Sequence, residues 1–217
     1  MLNIAEQILL ISLDDATGEA APLPMGVLDT VLAGALLMDL VFAAGLKLSS
    51  PGLKLALASP LKDPLLNEVL GILKEEGLDM YPIDGAIRKL SSPHWEWNRK
   101  LAERLVDRHI LEAHEERQLW FFKTKLYPMV DGGPERTCRE HMRELLLGEK
   151  TVSEPRDLIL ISLLARSGLL DQILSQAERV HSQAKIEAIL QQNHTLDEAI
   201  QAIIADIQTL FARLVLP

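Results

Sequence analysis

The chain has 217 residues, 48% of them apolar and 24% charged, with one cysteine and a formal net charge of −9. That length suits a single domain spanning residues 1–217 with a sizeable core, and the composition excludes a disordered or fibrous chain. The acidic balance argues against a nucleic-acid-binding surface, and the lone Cys138 excludes an intramolecular disulfide or a multi-cysteine zinc cage.

Aromatic residues make up only 4% while Leu, Ala and Ile fill the apolar share, which favours helix. At the N-terminus, Asn3-Ile4-Ala5-Glu6 has capping-box spacing and predicts a helix through Ile11, with Ile4, Ile8 and Ile11 on one face. Asp14-Asp15-Ala16-Thr17-Gly18 reads as a turn, and Pro22 and Pro24 break the chain after it. The most apolar stretch, Val27 to Leu46, carries Asp29 and Asp39. A carboxylate at a bilayer centre costs about 2.5–3.5 kcal/mol, so this stretch predicts a buried core helix over Val27–Ala44, ended by Gly45, and not a membrane span. No secretory signal opens the sequence, and a cytoplasmic protein, at most peripheral on a membrane surface, is expected.

Leu46-Lys47-Leu48 and Leu53-Lys54-Leu55-Ala56-Leu57 alternate about Ser50-Pro51-Gly52 and predict a β-hairpin. Asp63-Pro64 predicts a helix start, with Gly77 as its end, and a short helix follows over Ile83–Leu90. Ser92-Pro93 predicts one long helix to about Arg108. Ile110–Ala113 and Leu119–Phe122 then read as two strands around a tight turn at His114-Glu115-Glu116-Arg117. A helix before such a pair has a winged-helix outline, although the net charge opposes DNA binding. Further helices are expected over Glu135–Leu147, Pro155–Ser167, Leu169–Leu190 and Leu196–Leu214, the last opened by a capping box at Thr195. The expected architecture is mainly α, a single compact helical domain with a few β-hairpins.

Motifs for catalysis are missing. The six histidines have no metal-ligand spacing, and no phosphate loop, dinucleotide fingerprint or serine-hydrolase elbow is present. Neither enzyme activity nor a cofactor or metal is expected. Arg136, Arg139 and Arg143 share i, i+3, i+7 spacing, a stripe suited to phosphate or anionic lipid head groups or else neutralised by the interspersed Glu135, Glu140 and Glu144. Trp120-Phe121-Phe122, three large rings in succession, suggest an oligomer contact, a membrane-interface anchor or burial under another element.

The ordered set of segments Glu6–Gly18, Leu32–Leu40, Lys100–Leu111, Tyr127-Pro128 and Arg156–Ala165 resembles the Golgi phosphoprotein 3 family, including its shorter bacterial members. The resemblance implies a mainly helical fold with a protruding β-hairpin that mediates self-association. For eukaryotic members it implies a non-enzymatic peripheral membrane adaptor that binds phosphatidylinositol 4-phosphate and the tails of Golgi enzymes. The head-group pocket of those members uses a tryptophan and three arginines. Aligned to them are Pro24, Ala33, Ser153 and Arg156, so Arg156 alone retains the pocket chemistry. His109 stands where relatives tend to have glycine. The implied reading is a lipid-associated adaptor with an anionic phospholipid head group as partner, possible homo-oligomers, and no nucleic acid. The alternative is a soluble self-associating interaction protein that has lost the lipid site.

Overall fold

In a computed structural model, the residues described are 1–49, 52–55, 60–75, 80–118, 122–149 and 151–191. The N-terminal helix α1 (Ile4–Ser12) is capped as its sequence requires: the Glu6 amide donates to Asn3 Oδ1 at 2.7 Å, and the Asn3 amide to Glu6 Oε2 at 3.0 Å. Every α1 residue but Gln7 is buried, so the helix is enclosed on all sides and not only along the Ile4/Ile8/Ile11 face. Its companion α2 (Val27–Phe42) is buried from Thr30 through Leu40. This explains the continuous apolar run without a membrane: a helix surrounded by other helices needs no polar face. Among the described residues, no helix is long and apolar enough to cross a bilayer.

The other elements wrap this pair. Strands β1 (Leu46–Ser49) and β2 (Gly52–Leu55) form the expected antiparallel hairpin, and β3 (Met80–Tyr81) adds a third strand against β2. Helix α3 (Pro64–Lys74) starts where Asp63 accepts from the amides of Leu65 and Leu66. Helix α4 (Ile83–Leu90) lies at its predicted bounds. Then come α5 (Trp97–Asp107), the strands β4 (His114–Gln118) and β5 (Phe122–Leu126), α6 (Gly133–Leu147), α7 (Pro155–Ser167) and α8 (Gln176–Gln191). The chain is mainly helical, with a separate two-stranded antiparallel pair, β4–β5. Gly77 and the predicted helix Leu196–Leu214 with its Thr195 cap lie outside the described residues.

Four expectations are corrected. The α2 helix ends at Phe42, and the left-handed residue after it is Ala44 (φ 56°), not Gly45. The Gly45 amide reaches back to the Leu40 carbonyl and that of Ala44 to Val41, a Schellman closure placed one residue early for its glycine.

The long helix from Ser92 is broken. A 3-10 turn at Pro93–Trp95 precedes Glu96 at φ 50°, and α5 begins only at Trp97. The indole of Trp95 donates to the Lys89 carbonyl and that of Trp97 to the Leu90 carbonyl, at 2.9 and 2.7 Å. In a continuous helix, side chains two positions apart diverge by about 200°. The kink lets both rings close the C-terminus of α4.

The β4–β5 hairpin is shifted. The charged stretch His114–Arg117, expected as a turn, is strand, and Leu111 makes only an isolated bridge to Met129. Strand alternation reports one buried face. Here His114, Glu115 and Lys125 are exposed, so the apolar pattern had nothing to record.

The helix expected over Leu169–Leu190 is also two elements, a 3-10 turn at Leu169–Gln172 and α8. Ser175 divides them. Its amide and hydroxyl donate to Glu178 Oε2 at 2.9 and 2.8 Å, while the Glu178 amide approaches Ser175 Oγ at 3.4 Å. The sequence Ser175-Gln176-Ala177-Glu178 carries this capping box openly.

Candidate functional site

Arg156 stands in the first turn of α7, where its Nη2 donates to the Leu2 carbonyl at 2.7 Å. Beside it is buried Asp39 on α2, whose two carboxylate oxygens accept from the amides of Ile4 and Ala5 at 2.9 and 3.0 Å. Burial pushes the Asp39 carboxyl up to about 6, against the pull of those two amides and of Arg156. Glu6 completes the cluster: it is buried and pairs with Arg108 at 2.9 Å and Arg104 at 3.2 Å. Arg104 in turn forms a two-pronged pair with Asp63. The surroundings of Arg156 thus hold the start of α1 in place.

The other positions aligned to the head-group pocket are dispersed in character. Pro24 and Ser153 are exposed, while Ala33 is completely buried in α2. None of the four lines either of the two cavities described below.

The arginine stripe lies on α6, as expected. Arg139 donates to the Gln172 carbonyl, approaches that of Ile11 at 3.5 Å, and pairs with Glu135 one turn earlier. Burial lowers its guanidinium below the ordinary range. Arg143 donates to the Ile173 carbonyl at 2.8 Å and forms a two-pronged pair with Glu178, whose carboxyl is held down at about 2, chiefly by that arginine. These two side chains grip the connection between α7 and α8. Arg136 is exposed and has no side-chain partner among the described residues.

Cys138, also on α6, is buried, and burial pushes its thiol up to about 11. It is therefore protonated at neutral pH, against the pull of Arg156.

Trp120 and Phe121 lie outside the described residues, and Phe122 is the first residue of β5. Together with Leu119, Trp120 and Phe121 join β4 to β5. The strand register runs from His114↔Leu126 to Gln118↔Phe122 and places Arg117 opposite Lys123, one pair short of that connection.

At the hairpin's foot, the Asp14–Gly18 turn packs against the chain. Gly18 has φ 70°, and a side chain there would meet the Tyr127 backbone at 2.2 Å, so only glycine fits. Beside this contact is a cavity of about 260 Å³ reaching from α1 to the start of α5. A wider groove of about 750 Å³ lies between α7 and α8, where Arg179 is already paired with Asp171 at 2.7 Å. Sequence reasoning missed the cavity, because its walls come from four separate stretches of chain.

The helical core, the capped α1 and the separate β4–β5 pair define a mainly helical protein with a hairpin apart from its core sheet. The family model for Golgi phosphoprotein 3 (GPP34) matches residues 4–207, nearly the whole chain, and the protein belongs to that family. No curated protein matches the chain.

Proposed function

We propose that this protein is a non-enzymatic peripheral membrane adaptor that docks on anionic bilayers through the β4–β5 hairpin, without the multi-arginine head-group pocket of its eukaryotic relatives. One observation carries the reading: Arg117 is opposite Lys123 in the register, one pair before Gln118↔Phe122 and the Leu119-Trp120-Phe121 connection. Like charges directly opposed on a hairpin repel each other in water. Against an anionic surface the same two cations are favourable, at about 1 kcal/mol each. The adjacent aromatic rings suit the boundary between head groups and acyl chains, where an amphipathic ring is most at ease. Family membership favours phosphoinositide binding in general. Because Arg156 is engaged with the Leu2 carbonyl and Asp39, selectivity for phosphatidylinositol 4-phosphate over other anionic lipids is expected to be weak.

Liposome flotation tests this. The wild type should float with phosphatidylserine vesicles at low salt, less so at physiological salt, and not with neutral vesicles. The Trp120→Ala/Phe121→Ala variant should stay at the bottom of the gradient. Flotation with neutral vesicles, or equal flotation of the double variant, would overturn the proposal. An oligomer that ignores every vesicle would instead establish the soluble interaction protein.

A further inference from the structure

Beyond membrane docking, the groove between α7 and α8 has an occupant written further along the same chain. Its apolar walls are Ala165, Leu170, Leu174, Val180, Ile186 and Leu190, and it also holds the Arg179–Asp171 pair. Ser182, Ile186 and Ile189 are the buried residues of α8, which packs on α6 and α7. His181, Ala184 and Ala188 are exposed on its outer face. Between these faces runs Gln176, Val180, Gln183, Glu187 and Leu190, stepped by four and three residues, and all five line the groove. Val180 is 70% exposed there, an apolar side chain left uncovered by the described residues.

The chain continues past α8 with residues 192–217. Leu196, Ile200, Ile203, Ile207, Leu210 and Leu214 recur there at alternating four- and three-residue steps, the seam by which one helix packs on another. Asp206 and Arg213, seven apart, border that seam on one side. Only residues 192–194 separate α8 from Thr195, the expected cap. Three residues span at most about 10–11 Å, and packed helices lie about 8–10 Å apart. A helix opening at Thr195 therefore starts beside the last turn of α8, and on so short a connection it runs antiparallel. In that arrangement Ile203 comes level with Gln183, Ile207 with Val180, Asp206 with Arg179 and Arg213 with the end of the Asp171 turn. The expected helix is about 28 Å long, enough to cover the 16 residues of α8 at about 24 Å. A tether this short also gives the segment a local concentration on the order of millimolar, an advantage over any separate protein.

We propose that residues 195–214 fold back along α8 as an antiparallel helix and fill the groove between α7 and α8. The Leu196–Leu214 seam covers Val180 and Leu190, and Asp206 and Arg213 extend the Arg179–Asp171 pair into a four-membered network. Docked there, the apolar seam is withheld from the bilayer, so the C-terminal segment adds no second membrane contact.

Two measurements on the full chain without vesicles test this. Amides of residues 200–210 should be protected from hydrogen exchange. Val180→Glu, at a position exposed in the described fold, should speed their exchange at least tenfold while α1 and α2 stay unchanged; Val180→Ile should behave as the wild type. In a Cys138→Ala background, Val180→Cys with Ile207→Cys should close a disulfide within one chain under mild oxidation. His181→Cys with Ile207→Cys, next in sequence but on the outer face, should not. Exchange indifferent to Val180→Glu, equal closure of both cysteine pairs, or cross-links between chains in place of within one would overturn the proposal. Protection that appears only when phosphatidylserine vesicles are added would assign the segment to the bilayer and overturn it as well. Neither measurement involves the β4–β5 hairpin, so failure here is distinct from failure of the docking proposal.

Discussion

Asp39 is an acid whose folded-state pKa, about 6, lies above its ordinary 3.8. The folded protein therefore binds this proton more tightly than the unfolded chain, and the sign of the linkage follows. Protonated Asp39 favours the fold. Stability from this residue falls as pH rises from about 4 to about 6, then stays level, for a total of about 3 kcal/mol. Urea midpoints across that range should decline in the wild type, and Asp39→Asn should flatten the decline while lowering the midpoint throughout. A decline that persists in the variant would assign it to another group. His109 offers a second residue-level test. It sits at φ 58° after α5, with its amide on Val106 and that of Ile110 on Leu105, the closure glycine serves best. His109→Gly should raise stability by about 1 kcal/mol, read from the urea midpoint at constant slope. Gly18→Ala should act the other way, lowering stability by at least about 2 kcal/mol, since both its φ and its contact with the Tyr127 backbone forbid a side chain.

At the scale of elements, α6 holds α8 through Arg143. Arg143→Ala should leave the Ile173 carbonyl without its side-chain donor and Glu178 held by Ser175 alone, and should increase amide exchange in the first turn of α8 before the rest of the molecule. Glu178, held at about 2, supports the fold fully above its ordinary pKa and loses that support as pH falls toward 2, opposite in sign to Asp39. Elements whose boundaries are written locally were legible in the sequence: the Asn3 box, the Asp63-Pro64 start, α4 and α7. The Ser175 box is equally written, but the apolar residues on both sides of it read as one long helix. The kink at Glu96 was not legible, because its cause lies in carbonyls at the end of α4, which Trp95 and Trp97 must both reach. The hairpin strands were misplaced because a ribbon exposed on both faces has no apolar period. The arginine stripe was found by its spacing. Its contacts with the chain between α7 and α8 depend on tertiary packing that spacing cannot report.

For the whole molecule, the acidic balance and the membrane reading are compatible only if docking is local. Residues 1–50 hold six acids and one base, whereas the end of the hairpin concentrates Arg117 and Lys123 beside aromatic residues. A molecule of net charge −9 should therefore approach an anionic surface in one orientation, hairpin first. Arg156 has a different expected role. Arg156→Ala should cost about 1–2 kcal/mol of stability, through the lost charge-assisted bond to Leu2, while leaving vesicle binding unchanged. Co-sedimentation of the variant at a temperature well below its melting point separates the two effects. The most direct measurement places an environment-sensitive fluorophore at Leu119→Cys in a Cys138→Ala background and adds phosphatidylserine vesicles. A blue shift that disappears with neutral vesicles and is reversed by salt is the result the hairpin-first account predicts. Emission unchanged while the protein sediments with the vesicles would contradict it, because the membrane would then be held by another surface.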